Sequence, residues 1–199
     1  MGYTHYFPRV KNVPIKKQDW DGLCSDVQKL YEALPPEIKI MNREENPGIT
    51  TTKRMIIFNG QEPDDYETFV LIRNQKEHEW SKGGPEIFNF CKTAQRPYDL
   101  LVVSTLLAAK DRLKEAIRVD SDGDVEDWEE GFRFAVKTLE RDMPLREISS
   151  FKSERTLSRL EALEKEVNIF KAIQEEQEHL NQTLPEASSP KTKKEKLRM

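Results

Sequence analysis

The chain has only two cysteines, Cys24 and Cys91, and they sit in separate segments. That excludes a disulfide scaffold and favours a reduced compartment. The phosphate loops GxGxxG and GxxxxGK followed by Ser or Thr are both missing. The three histidines, His5, His78 and His179, lie far apart, and no HExxH or Cys/His pairing marks a zinc site. No metal ligand set is therefore expected. GxSxG, the mark of a hydrolase nucleophile elbow, does not occur either. The longest apolar stretch, Leu100–Ala109, is ten residues long and carries Ser104 and Thr105. That is about half a membrane span. The opening MGYTHYFPRV lacks the apolar run of a secretory signal, and Tyr6 stands where a myristoylation signal places Ser or Thr. The expectation is a cytoplasmic, soluble protein with no membrane partner.

There is ample charge, balanced in sign. Charged residues make up 34% of the 199 residues, against 36% hydrophobic, and the net charge is −4. Nothing global attracts nucleic acid. The polar residues are distributed unevenly. Residues 1–147 carry strand and helix patterns, 152–183 form a charged Leu/Glu/Lys-rich segment without Gly or Pro, and 184–199 read as a disordered tail with a local charge of +3. Any contact with nucleic acid is expected to be weak and confined to that tail.

Within 1–147, GYTHYF alternates as a strand ended by Pro8. In Lys16–Leu34, Trp20, Leu23, Cys24, Val27, Leu30, Tyr31 and Leu34 recur at spacings of three and four, as in an amphipathic helix, which Pro35-Pro36 stops. RMIIFNG and YETFVLIR read as two strands of a hairpin. Tyr98–Ile117 is a helix apolar on nearly every side of its first half, so it should be buried all round. A short return strand IRVD follows it, and Glu126–Asp142 is a further amphipathic helix ended before Pro144. The fold class is α+β: a small, mostly antiparallel sheet packed against three helices, plus a C-terminal helical arm. In the arm, Leu160, Leu163, Val167 and Phe170 follow 3-4-3 spacing. A short coiled coil and a helix folding back on its own domain both fit that pattern.

The densest polar chemistry stands in FCKTAQRPYD, a loop leading into the buried helix. Free N–H groups at a helix N-terminus attract anions. Lys92 and Arg96 add charge, and Thr93 adds a hydroxyl. The expected ligand is a phosphate-bearing small molecule such as a nucleotide, with Tyr98 or Tyr6 stacking or hydrogen-bonding and Glu67 reaching the same cleft. The competing reading has Asp99 capping the helix, Tyr98 covering the core edge and both cations solvated. His5 lies between two aromatics on one face of its strand. It reads as a hydrogen-bonded core residue or as a general acid/base, imidazole being the side chain that titrates near neutrality. In DSDGDVEDWEEG, Asp120, Asp122 and Asp124 occupy EF-hand places one, three and five, but Val125 and Gly131 stand where Gly and Glu are required. A turn with Asp122 or Asp124 capping the next helix explains these residues, while Asp120 and Asp122 stay candidates for a catalytic cleft.

Taken together, MGYTHY, ETF, FCKTAQRPYD and SDGDVEDWEEG resemble a group of uncharacterised proteins associated with bacteriophages and their hosts. The resemblance covers residues 1–143 and implies a cytosolic, phage-linked α+β protein. It implies no reaction, cofactor or catalytic residue. Three functional readings follow: a phosphate-ligand protein, a small enzyme at the same site using His5 with Asp120 or Asp122, and an interaction or self-association module using 152–183.

Overall fold

The structure, a computed structural model, describes residues 3–76 and 82–183. His78 and the basic tail lie outside the described residues. The fold is α+β, with helices and antiparallel sheets.

Helix α1, Lys17–Glu32, turns Trp20, Leu23, Val27 and Leu30 inward, as its three-and-four spacing requires. Helix α2, Asp99–Leu113, is buried continuously from Leu101 to Lys110. Helix α3, Val125–Leu139, buries Trp128, Phe132, Ala135, Val136 and Leu139. Both α1 and α3 pack against α2. The α2–α3 crossing is close because Gly131 has no side chain. A Cβ there would stand 2.8 Å from Val103 Cβ and closer still to Val103 Cγ1. Ser104, inside the buried helix, disposes of its hydroxyl locally, within reach of Leu100 O at 2.7 Å and Gly131 O at 3.1 Å.

Among the described residues, three small sheets accompany the helices. In the first, β1 (Thr4–Tyr6) lies between β8 (Phe90–Lys92) and β9 (Asp120–Ser121). In the second, β2 (Arg9–Val10) pairs with β7 (Glu86–Ile87). In the third, β5 (Met55–Gly60) pairs along its length with β6 (Phe69–Ile72), and with β3 (Ile40–Met41) and β4 (Thr50–Thr51). The β5–β6 pair is the expected hairpin. Phe90–Lys92 and Thr50–Thr51, expected as loop, are strands. Segments of two or three residues are too short to show an alternating period. Helix α2 ends at Leu113 rather than Ile117, because Lys114 has φ +50° and the chain tightens into a 3-10 turn over Lys114–Ala116.

Helix α4 runs Glu154–Thr183, and the chain divides into two compact units inside it, between Leu163 and Glu164. In the first unit Leu160 and Leu163 are fully buried, and Arg159 reaches the Glu129 carboxylate. In the second, Ile169, Phe170 and Ile173 are exposed. No helix among the described residues is long and apolar enough to cross a membrane.

One buried carboxylate ties the helices together. Asp26 sits on the apolar face of α1 at 3% exposure. It accepts from Arg112 Nε and Nη2 at 2.7 and 3.1 Å, and from both terminal nitrogens of Arg141. Burial alone would raise the Asp26 carboxyl. The hydrogen bonds and charges of the two guanidiniums outweigh it and hold the group below the usual carboxylate range. A depressed carboxyl stabilises the fold above its unfolded pKa, near 3.9, and that contribution is lost as pH falls through the folded value. Asp26→Asn should therefore cost about 3 kcal/mol, the low end for a broken buried pair because both guanidiniums reach solvent. In a melting experiment this is a fall in Tm of roughly 6–12 °C at pH 7, shrinking as pH drops below about 4. A fall that is independent of pH would show that the charge is not what holds this junction.

Candidate functional site

The three-stranded sheet sorts the polar candidates onto two faces. Its register pairs Thr4 with Lys92, His5 with Cys91 and Ser121, and Tyr6 with Phe90 and Asp120. Side chains alternate along a strand, so His5, Cys91 and Ser121 face inward while Tyr6, Lys92 and Asp120 face the other way. The burial agrees: His5 and Cys91 are at 0% and Lys92 is exposed. Asp122 joins the outer group beside the Tyr6 hydroxyl, which burial and that carboxylate hold above its usual value. The expected union of His5 with Lys92, Asp120 and Asp122 in one pocket therefore does not form. They are sheet neighbours on opposite faces.

The inward face carries a different constellation. His5 Nε2 lies 2.8 Å from Asp99 Oδ1, and His5 Nδ1 lies 3.1 Å from Ser121 Oγ. A carboxylate only accepts, so Nε2 carries the ring proton and Nδ1 receives the Ser121 hydroxyl. Ser121 Oγ in turn accepts from the Gly123 N–H at 3.1 Å. The relay is boxed by aromatic edges, with Tyr3 at 4.8 Å and Trp128 at 5.3 Å from the His5 ring, both T-shaped. Gly123 is required there, since a Cβ would stand 2.7 Å from Tyr3 Oη. Three buried polar atoms, Tyr3 Oη, Thr93 Oγ1 and Trp128 Nε1, make no hydrogen bond among the described residues, and the first and last stand on the rings that box His5. Burial, with Asp99 and Asp127 nearby, raises the Tyr3 hydroxyl above its ordinary value, so it stays a donor.

The loop into α2 is strained. Ala94 and Gln95 both lie in the left-handed region, at φ +49° and +54°. Two consecutive non-glycine residues there cost about 1–3 kcal/mol each. What holds them is a set of bonds on either side. Thr93 N–H donates to Tyr3 O at 3.1 Å, and Gln95 Nε2 to Asp127 Oδ1 at 3.0 Å. Asp127 also accepts from the Asp124 N–H, closing the start of α3, so Asp124 rather than Asp122 is the cap residue.

Asp99 is the relay's opening to solvent. Its side chain is 14% exposed against 0% for His5. It lines a cleft of about 200 Å³ with Gln95, Arg96, Asp127, Glu130 and Gly131. This wall holds three carboxylates and one guanidinium, the opposite polarity from the expected phosphate site. The helix N-terminus is also occupied by its own chain: the N–H groups of Asp99, Leu100 and Leu101 donate to the carbonyls of Arg96, Pro97 and Tyr98. Lys92 offers its backbone N–H to Glu67 Oε2 at 2.8 Å, which leaves Glu67 a loop brace. Tyr98 is 1% exposed and bonds Glu67 O at 2.8 Å and Lys92 O at 3.2 Å, so it closes the core edge and presents no face for stacking. Thr93 is buried and Arg96 exposed. Of the expected ligand residues, only Arg96 lines the cleft. Cys91, buried against Glu67 and Asp99, is pushed up to about 12 and is an inert thiol.

Asp99 and Ser121 were the residues missed as partners of His5. The signal for Ser121 is the strand alternation of Asp120-Ser121-Asp122, which puts the middle residue on the His5 face once β9 pairs with β1. Comparison with protein-family models, curated proteins and solved structures finds no match for this chain.

Proposed function

We propose that the protein binds a small polar ligand, cationic or rich in hydrogen-bond donors, in the cleft at the start of α2, and that Asp99 exchanges a proton with it. The observation that carries this reading is the Asp99–His5–Ser121 relay, whose most solvent-accessible member lines the cleft. Asp99 Oδ1 is held by the imidazole, and Oδ2 has no hydrogen bond among the described residues. A proton leaving a ligand O–H or N–H passes to Oδ2. His5 donates to the same carboxylate and fixes its orientation, and Ser121 fixes the ring. General base assistance of this kind contributes typically 10²–10⁴-fold. Ser121 is not the nucleophile of an acyl-transfer triad. It meets Nδ1 on the inner side of the ring, and its oxygen is already engaged by Gly123.

The ligand's charge follows from the cleft. Three carboxylates repel a phosphate, so the phosphate part of the original expectation gives way to an amine, a polyol or a nucleoside. A thermal-shift screen of such compounds checks this. A ligand at 100 times its Kd stabilises by about 2.7 kcal/mol, or roughly 5–11 °C at this chain length. Asp99→Asn should abolish the shift, whereas Ser121→Ala should keep it and lower stability by about 1 kcal/mol. A hit that survives Asp99→Asn removes the proposal. A hit lost in Ser121→Ala alone would show that the ligand is held through the Ser121 hydroxyl rather than through Asp99, and would also remove the proposal.

A second reading rests on α4. Ile169, Phe170 and Ile173 are 62, 44 and 49% exposed on one helix. Such an apolar stripe fits self-association or a partner helix. Sedimentation of the full chain at increasing concentration should show a dimer that the double variant Phe170→Glu/Ile173→Glu converts to monomer. A wild-type chain that stays monomeric at high micromolar concentration eliminates the self-association form of this reading.

A further inference from the structure

A second cavity, of about 580 Å³, is lined by residues 9–15, Arg73, Asn74, Gln75 and Ile87. It falls in the 300–1,000 Å³ range of small-ligand pockets. Its wall contains Arg9, Lys11 and Arg73 and no carboxylate among the described residues. Arg9 is 6% exposed. It is fixed by the antiparallel pairing with Ile87 and a bridge to Ile117. Its Nε donates to Ala116 O at 2.8 Å and its Nη1 to Arg73 O at 3.1 Å. These are carbonyl dipoles, not charges. Burial lowers the guanidinium only to about 10, so it stays protonated at neutral pH. Arg73 donates from Nη2 to Ile15 O at 3.1 Å, and its buried Nε has no hydrogen-bond partner among the described residues. Neither arginine forms an ion pair among the described residues. Gln75 is locked to Asn89 by a reciprocal amide pair at 2.8 and 2.7 Å, so this wall is set in place.

Burying guanidinium charge without a counter-charge is unfavourable unless something else supplies it. We propose that this cavity binds the phosphate group of a small molecule, with Arg9 and Arg73 as the residues that hold it. A phosphate monoester carries close to two negative charges and matches two guanidiniums, and the planar N–H fork suits its oxygens. A monocarboxylate would leave one charge unmatched. The phosphate chemistry that the acidic cleft of Asp99 disfavours is thus offered elsewhere in the same unit, by a cavity that shares no lining residue with that cleft.

Titration calorimetry on the full chain tests this, using inorganic phosphate, adenosine monophosphate and succinate, each at matched ionic strength. Saturable binding of phosphate or of the monophosphate is expected, weakened roughly tenfold or more in Arg73→Gln and unchanged in Asp99→Asn. Binding of the monophosphate alone identifies an ester, and binding of both a phosphate subsite; either supports the proposal. If Arg73→Gln does not fold, the arginine Nε–H resonances of the wild-type chain decide. Those of Arg9 and Arg73 must shift on titration. The proposal is overturned if neither phosphate probe binds above a chloride control, if succinate binds as tightly, if Arg73→Gln binds phosphate as wild type does, or if the two resonances stay still.

Discussion

Helix α2 is buried on every side, and the arrangement of the domain's charges follows from that. A helix in water lets solvent satisfy its ends, whereas a helix in a core must have them satisfied by protein. At the N-terminal end, turn carbonyls take the first N–H groups, and Asp99 adds a carboxylate where the helix dipole favours one. At the other end Lys110 reaches the carbonyls of Lys114 and Ile117 and the Glu147 carboxylate. Two residues further on, Arg112 joins Asp26 of α1, with Arg141 closing the cluster from beyond α3. The same helix therefore recruits His5 at one end and the Asp26 cluster at the other. The packing of α1 and α3 on its flanks is the apolar complement of those two polar anchors.

The sequence shows the long elements plainly. Helices α1, α2 and α3 and the β5–β6 hairpin follow from apolar spacing and from Pro and Gly punctuation, because each is long enough to display a period. The two-residue strands β2, β3, β4 and β7 are legible only through their partners, and β9 begins at the last residue of the return strand read over IRVD. So are the polar anchors. Asp26 reads as one misplaced carboxylate on an apolar stripe, and nothing local indicates that guanidiniums from positions 112 and 141 converge on it. His5 was legible as a hydrogen-bonded core residue with acid/base potential, and Asp99 as a first-turn carboxylate. That the two are partners 94 residues apart depends on β1 entering the sheet beside β8, which is tertiary information.

The strand β1 illustrates how alternation decides chemistry. Its neighbours Asp120 and Ser121 differ by one position, yet one faces Tyr6 on the outer side and the other bonds His5 within. A sequence motif rich in aspartates draws attention to the residues that end up outside. The residue that matters to His5 is the small hydroxyl between them, which fits an interior already crowded by Tyr3 and Trp128. The orphaned Tyr3 Oη, Thr93 Oγ1 and Trp128 Nε1 belong to this same crowded face. Buried polar atoms without partners are uncommon in folded proteins, and two of these stand on the rings that pack edge-on against His5.

The dipole of α2 also accounts for the sign of the two candidate sites. Its positive end is already matched by Asp99, and with Asp127 and Glu130 beside it the cleft is over-supplied with negative charge, so an external anion has no advantage there. Past its negative end, the carbonyl of Ala116 draws in the Arg9 guanidinium, and that arginine meets no carboxylate among the described residues. A carbonyl carries only a partial charge, so the attraction that brings Arg9 into the interior does not neutralise it. Carboxylates outnumber guanidiniums in the cleft at the start of the helix, and beyond its end Arg9 is met by the carbonyls of Ala116 and Arg73. Ligands of opposite charge are what each end, taken by itself, would select.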